Sequence, residues 1–233
     1  MAEICVKDLK KQFGDVTVVD IPELNINKGD FLGIVGNNGA GKTTFFRLML
    51  DLARADKGSI SLAGIDPSKS EEWKTTTGAC LNEGFLIDFL TPEEYFDFIF
   101  KINSIPSDEA KDRLAFFDSF MNGEIIGKGK LIREFSSGNK QKIGIVGAML
   151  NSPKILILDE PFNFLDPSSQ NSLKQLLTDY HSTTGATILV SSHNLHHISE
   201  ISSRIIVMEK GRIVKDITNL GEQTEKELED YFA

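Results

Sequence analysis

The spacing of hydrophobic and polar residues changes several times along this chain, and each change marks an element. Residues 3–13 and 16–27 alternate apolar and polar side chains, as strands with one covered face do, broken by Gly14-Asp15 and Lys28-Gly29-Asp30. Residues 31–35 and 155–158 are apolar throughout, and 186–190 are apolar but for Thr187, the pattern of parallel strands covered on both faces. Residues 58–64 read as a further strand between turn residues. A helix is expected from the end of residues 36–44 to about Leu52, and another at 168–180, which makes residues 155–190 a βαβ unit. From Thr91 to about Asn122 the period becomes helical, with Pro92-Glu93-Glu94 as a favourable first turn after a Thr cap. A further helix is expected at about 139–150, a closing hairpin around Lys210-Gly211, and an acidic helix or frayed tail at 221–233.

Together these elements describe one α/β domain, residues 1–233. Its core would come from both ends of the chain, about residues 1–81 and 152–218, starting with an antiparallel β subdomain. A helical subdomain would span about 82–151, and a tail 219–233. No apolar run approaches the roughly 18 to 20 residues that cross a bilayer. The first residues carry charges too early for a secretory signal, so the expected location is cytoplasmic. The net charge of −9 sets a surface that repels a phosphate backbone, and no nucleic-acid partner is expected. Cys5 and Cys80 lie far apart, without metal-type spacing, and are expected to be reduced core residues.

The segment Gly36-Asn37-Asn38-Gly39-Ala40-Gly41-Lys42-Thr43-Thr44 fits G-x-x-x-x-G-K-[ST], in the strand, glycine loop, helix context that the pattern requires. Its glycines let successive N–H groups curl inward around phosphate oxygens, and the following helix adds its free N-terminal N–H groups. Lys42 would reach the β- and γ-phosphates, and the Thr43 hydroxyl would ligate Mg²⁺. The chain is therefore expected to bind a nucleoside triphosphate. Downstream, the apolar residues 155–158 end in Asp159-Glu160-Pro161. The first carboxylate would hold Mg²⁺ and the second polarise an attacking water, the turn into Pro161 letting both face the nucleotide.

Phe135-Ser136-Ser137-Gly138-Asn139-Lys140-Gln141-Lys142 resembles the L-S-G-G-Q-x-Q-[KR] signature of ABC-type ATPases. Phe162-Asn163-Phe164-Leu165-Asp166-Pro167 is similar to that family's D-loop, and Ser191-Ser192-His193 to its switch histidine. The motifs stand in family order from about Glu3 to Lys215. The resemblance implies a P-loop NTPase core of the ABC ATPase type. It implies the ATP-binding, ATP-hydrolysing subunit of an ABC transporter, with ATP and Mg²⁺ as cofactors. Such subunits dimerise head to tail around two ATP molecules and drive solute transport through a separate transmembrane permease subunit. The second ATP-binding subunit can be an identical or a different chain, and the pair would sit on the cytoplasmic face of the membrane. By the same resemblance Phe13 would stack on adenine, while Ser136, Ser137, Gly138 and Asn139 would meet the γ-phosphate held by the other subunit. Glu160 would be the general base or position the attacking water, Lys42 would reach the γ-phosphate, His193 would hold it and relay closure, and Asp159 would serve Mg²⁺. Leu90-Thr91-Pro92-Glu93 leans toward ABC-2 or exporter-type subunits. The alternative is a soluble ABC protein acting on nucleic acid or ribosomes, whose long coiled-coil insert or tandem cassette is absent here.

The chain departs from the family pattern in two places. Ser137 occupies a glycine position and would be strained there by about 1 kcal/mol if its φ were positive. The Q-loop segment has no glutamine, and spacing puts Asn82 in its place as a metal-side ligand, with Glu83 as the other candidate. His196 and His197 lack metal-ligand spacing. The aromatic residues crowding 85–120 are expected mainly to fill a small core, with Phe85 and Phe89 as candidate permease contacts. Trp73 is expected to be a packing residue.

Overall fold

The computed structural model describes residues 2–81 and 85–218. Asn82, Glu83 and the stretch 219–233 lie outside the described residues.

Strand β1 (Ala2–Phe13) pairs antiparallel with β2 (Val16–Asn27) and, on its other side, with β4 (Lys57–Leu62), giving the order β2-β1-β4. The period-two alternation in the sequence puts Ile4, Val6, Val19, Ile21, Leu24 and Ile26 on the covered face. Opposite them lie Phe45, Phe46, Leu48 and Met49 of α1 (Lys42–Met49) and Leu32 and Ile34 of β3 (Phe31–Val35). Helix α1 is therefore anchored between two sheets, which fixes the loop that precedes it.

The second sheet has six strands in the order β5-β6-β7-β3-β8-β9. Strands β5 (Thr77–Cys80), β6 (Ile155–Asp159), β7 (Thr187–Ser192), β3 and β8 (Arg204–Glu209) run parallel, and β9 (Arg212–Ile217) turns back antiparallel. Every residue of β3, β6 and β7 is buried, as their apolar runs imply, and the burial extends to the polar Asp159, Thr187, Ser191 and Ser192 at the strand ends. Strand β5 gives no apolar signal of its own. It is short, and Gly78 is set so close under the Ala148 carbonyl that a Cβ has no space. Cys80 is buried and its thiol is pushed up to about 12 by that burial, whereas Cys5 is only half-buried, so it is not the core residue expected.

The expected helical run from 91 to 122 is three helices: α2 (Pro92–Ile102), α3 (Ser107–Ala115) and α4 (Asp118–Met121). Thr91 and Glu94 form a reciprocal capping box at the start of α2. The break after α2 has two local causes: Ser104 is left-handed at φ 55°, and Pro106 biases Ile105 away from helix. Helix α5 (Ser137–Met149) packs on β5, so the helical segment is seated on the sheet's edge. Phe96, Phe100, Phe117 and Phe120 fill its core, while Phe85, Phe89, Phe98 and Phe116 stay exposed. Helix α6 (Pro167–Thr184) starts on an Asp166 cap and stops at left-handed Gly185. It overruns the expected 168–180 at both ends. A short α7 (Leu195–Ser199) follows β7.

The candidate nucleotide site

Residues 36–44 connect the end of β3 to α1. Gly41 caps α1 at φ 104°, and a Cβ there would lie 2.5 Å from the Val18 carbonyl oxygen. The β8–β9 turn, left-handed at Lys210 and Gly211, closes the other side: Gly211 N–H donates to the Ala40 carbonyl at 2.9 Å. The loop is thus clasped between the N-terminal hairpin and the closing hairpin. Asn37, Asn38 and Gly39 stay exposed at its crest, and Ala40 is buried beneath them. Helix α1 has no side-chain cap and no acidic residue in its first turn, so its N-terminal N–H groups and the positive end of its dipole are left to an anion.

Lys42 is buried. Its ammonium donates to the Gly36 carbonyl at 2.5 Å and lies 3.2 Å from Oε1 of Glu160. The Thr43 hydroxyl donates to Oδ2 of Asp159 at 2.6 Å, joining phosphate loop and acidic strand side by side. Thr44 follows, half-buried, in the first turn of α1. The other Asp159 oxygen accepts from Ser191 at 2.5 Å, and Ser191 Oγ in turn accepts the Glu160 N–H at 2.9 Å. Burial raises the Asp159 pKa above its ordinary value; the Ser191 and Thr43 hydroxyls oppose that rise, and the Glu160 charge adds to it.

Consecutive strand residues point to opposite faces, yet Asp159 and Glu160 converge. The device is not Pro161 but Glu160 itself, left-handed at φ 50°. Such a backbone costs roughly 1–3 kcal/mol and persists where surrounding contacts hold it. Here they are the two hydrogen bonds from Glu160 N–H to Ser191 and the contact of Glu160 Oε2 with His193 Nδ1 at 2.8 Å. Ser191, read in the sequence only as the start of the switch-histidine segment, is the residue that joins Asp159 to Glu160, through the carboxylate of one and the main-chain N–H of the other. Its signal is a pair of serines directly after the apolar Ile188-Leu189-Val190 of β7, where a buried hydroxyl needs a partner.

The signature residues stand elsewhere. Ser136 caps α5, its Oγ accepting the Asn139 N–H at 3.2 Å. Ser137 opens the helix and is absent from the left-handed residues, so its side chain brings no strain. Gly138 faces the Phe164 carbonyl. These four residues line a cavity of about 530 Å³ with Glu124, Lys142 and Asp166, apart from the phosphate loop. Gln141 connects the two regions from behind, donating to the Pro161 carbonyl at 3.3 Å.

Phe13 stands 58% exposed at the end of the N-terminal hairpin, whose Val18 abuts Gly41. Trp73 is buried and lines a groove of about 320 Å³ with Leu50, Leu52, Leu81 and Phe85. Of the later histidines, His196 pairs with Glu200 at 2.9 Å and His197 stacks on Phe162.

A family model described as ABC transporter matches residues 19–163, more than half of the chain. The chain belongs to the ABC transporter family. Among its ABC relatives, a methionine import ATP-binding protein, MetN of Halalkalibacterium halodurans, is 33% identical over 219 residues, covering 90% of this chain. The chain spans 63% of that relative's length. The bacitracin transport ATP-binding protein BcrA of Enterococcus faecalis is 32% identical over 216 residues, covering 91% of this chain and 68% of BcrA. A solved ATP-binding subunit of an ABC transporter superposes with a TM-score of 0.84 at 26% identity, covering 97% of this chain and 93% of that one. A dimeric ATP-binding cassette with ADP and Pi shares the fold, at a TM-score of 0.82 and 21% identity over 94% of this chain. The α/β fold with its N-terminal antiparallel sheet is that of ABC ATPase domains.

Proposed function

We propose that this ABC subunit binds ATP at residues 36–44 and hydrolyses it within a head-to-tail pair of subunits. The observation that carries the reading is the separation of its parts. Lys42, Thr43, Asp159, Glu160 and His193 converge on one point, while Ser136 and the N-terminus of α5 face a different cavity. A second subunit supplying its own Ser136–Asn139 surface completes each site.

The Thr43 hydroxyl and the Asp159 carboxylate, 2.6 Å apart, offer hard oxygen ligands at one place and fit Mg²⁺. When bound, that ion supplies charge neutralisation on the phosphates. Glu160 orients the attacking water and accepts its proton. His193 holds the γ-phosphate, and Lys42, now paired with Glu160 and Gly36, turns to the β- and γ-oxygens. Phe13 stacks on adenine.

The output is transport through a transmembrane permease subunit, with this chain docked on the cytoplasmic face. The groove at Trp73, with exposed Phe85 on its rim, supports such docking, because an apolar groove rimmed by exposed aromatics suits a partner helix. No helix among the described residues is long and apolar enough to cross a membrane.

Affinity isolation of Glu160→Gln from native membranes with Mg-ATP should recover an integral membrane protein. Recovery of ribosomes or DNA alone overturns the transport role. In solution the same variant should lose about 100-fold or more in phosphate release and elute as an ATP-dependent dimer, since transition-state positioning is removed while binding is kept. Unchanged turnover removes Glu160 from its role.

A further inference from the structure

Two segments meet at the Glu160–His193 contact: the loop after β6 and the turn leading into the short α7 after β7. Glu160 stands at the start of that loop, and His193 in the turn that joins β7 to α7, so neither is part of a long rigid element. What registers them is visible one turn further on. The His197 ring lies on the Phe162 ring, centroids 4.7 Å apart and planes 28° from parallel. Phe162 is buried at 3% exposure, two residues beyond Glu160. His197 is half-buried, and its Nδ1 is enclosed without a hydrogen-bond partner. Burial, with the Lys174 charge adding to it, holds its pKa below the ordinary value, so the ring stacks uncharged at neutral pH. A buried nitrogen left without a partner is a cost that an aromatic hydrocarbon in the same place would not carry. The ring is there for its face, not its nitrogens.

The surrounding contacts show what the stack holds. Glu200, the residue that follows α7, pairs with Lys174 of α6 at 2.6 Å. The loop is tied to the signature helix by Gln141 on the Pro161 carbonyl. The Glu160 N–H bonds to Ser191 hold the loop to the end of β7, and the Phe162–His197 stack adds a tie between the loop and α7, two residues from Glu160 and four from His193, which approach each other at 2.8 Å.

We propose that His197 is a positioning residue for ATP hydrolysis: its stack on Phe162 locks α7 to the Glu160 loop and so holds His193 against Glu160. The proposal rests on the hydrolysis reading above. Its physical basis is that a displacement of about 1 Å in a reacting geometry costs on the order of 100-fold in rate.

The test uses the full chain carrying His197→Ala or His197→Phe. In steady-state phosphate release His197→Ala should lower kcat about tenfold or more, with KM for ATP within about twofold, as expected when positioning rather than substrate binding is lost. Hydrogen–deuterium exchange should quicken at residues 160–164 and 193–197 and stay unchanged in β3 and β6. His197→Phe keeps the stack and should return both kcat and exchange to wild-type behaviour, with a higher melting temperature because no unpaired nitrogen remains. Wild-type kcat and exchange in His197→Ala overturn the proposal, as does a His197→Phe variant no better than His197→Ala. If the wild-type chain releases phosphate no faster than Glu160→Gln, the hydrolysis reading fails, and the exchange pattern alone decides whether the joint exists.

Discussion

Gly138 lies directly beneath the main-chain carbonyl of Phe164: a Cβ on Gly138 would sit 2.7 Å from that oxygen. The second glycine-type position of the signature is therefore kept small by the chain's own D-loop. The obstacle is main chain rather than a flexible side chain, so the loop carrying Phe164 must shift if a methyl is added. Gly138→Ala should cost about 1–3 kcal/mol, the range for forcing an extra methyl into a filled space. Because the displaced segment carries Ser136 and Asn139, phosphate release should fall by about tenfold or more while ATP affinity of the single subunit is retained, the signature of a lost transition-state contact. Thermal melting, nucleotide titration and a turnover assay decide it; full turnover would show that the signature tolerates the shift.

Much of this arrangement was legible because it rests on local chemistry. The apolar run of β3, the glycine loop and the Lys42-Thr43 pair announce one another in consecutive residues, and parallel strands buried on both faces need no partner to be recognised. What was not legible depends on contacts distant in sequence. Strand β5 is a strand because α5 presses on Gly78 and because β6 hydrogen-bonds beside it, not because its own residues favour extension. The convergence of Asp159 and Glu160 comes from one left-handed residue held by Ser191, thirty-one positions away. The breaks between α2, α3 and α4 hinge on single residues such as Ser104 that an averaged helical period passes over.

Gly41 and Gly39 make a paired test of the phosphate loop. Both are left-handed, at φ 104° and 84°, but a Cβ on Gly41 meets the Val18 oxygen whereas one on Gly39 meets nothing within 4 Å. Gly39→Ala should cost only the conformational penalty of about 1–2 kcal/mol. Gly41→Ala adds a clash with immovable backbone and should cost at least about 2 kcal/mol more than Gly39→Ala, a difference of roughly 4–8 °C in melting temperature for a chain of this size. Equal melting temperatures would mean that β2 yields to the loop.

Phe13 tests nucleotide recognition without touching the fold. Its ring is exposed at the hairpin end, with the Lys11 ammonium 5.4 Å from the centroid, and it belongs to neither core cluster. Phe13→Ala should leave the melting temperature of the nucleotide-free chain unchanged and weaken ATP binding about tenfold, within the roughly 1–3 kcal/mol that base–aromatic stacking contributes. Phe13→Trp should bind at least as tightly as wild type, and kcat at saturating ATP should not move in either variant. A Phe13→Ala chain with wild-type affinity would place the adenine elsewhere.

Asp159 gives the pH dependence. Its folded pKa lies above the 3.8 of an unperturbed carboxyl, with burial the largest cause. Between 3.8 and that raised value the folded chain holds more protons than the unfolded one, so this group's contribution to stability falls as pH rises through the window and stays low above it. Asp159→Asn carries no charge to desolvate, and its amide can donate to Thr43 Oγ1 while its carbonyl accepts from Ser191, as both hydroxyls can reorient. In EDTA without nucleotide, Asp159→Asn should therefore melt above wild type at pH 7.5, and the difference should vanish as pH drops below the unperturbed carboxyl value. Mg-ATP should reverse the order. A ligand at about 100 times its Kd adds roughly 2.7 kcal/mol to a chain that binds it, and Asp159→Asn lacks the carboxylate that fits the ion. Melting curves at several pH values, with and without Mg-ATP, check both halves. If Asp159→Asn melts below wild type in EDTA at pH 7.5, the buried carboxylate is held for stability rather than for the metal.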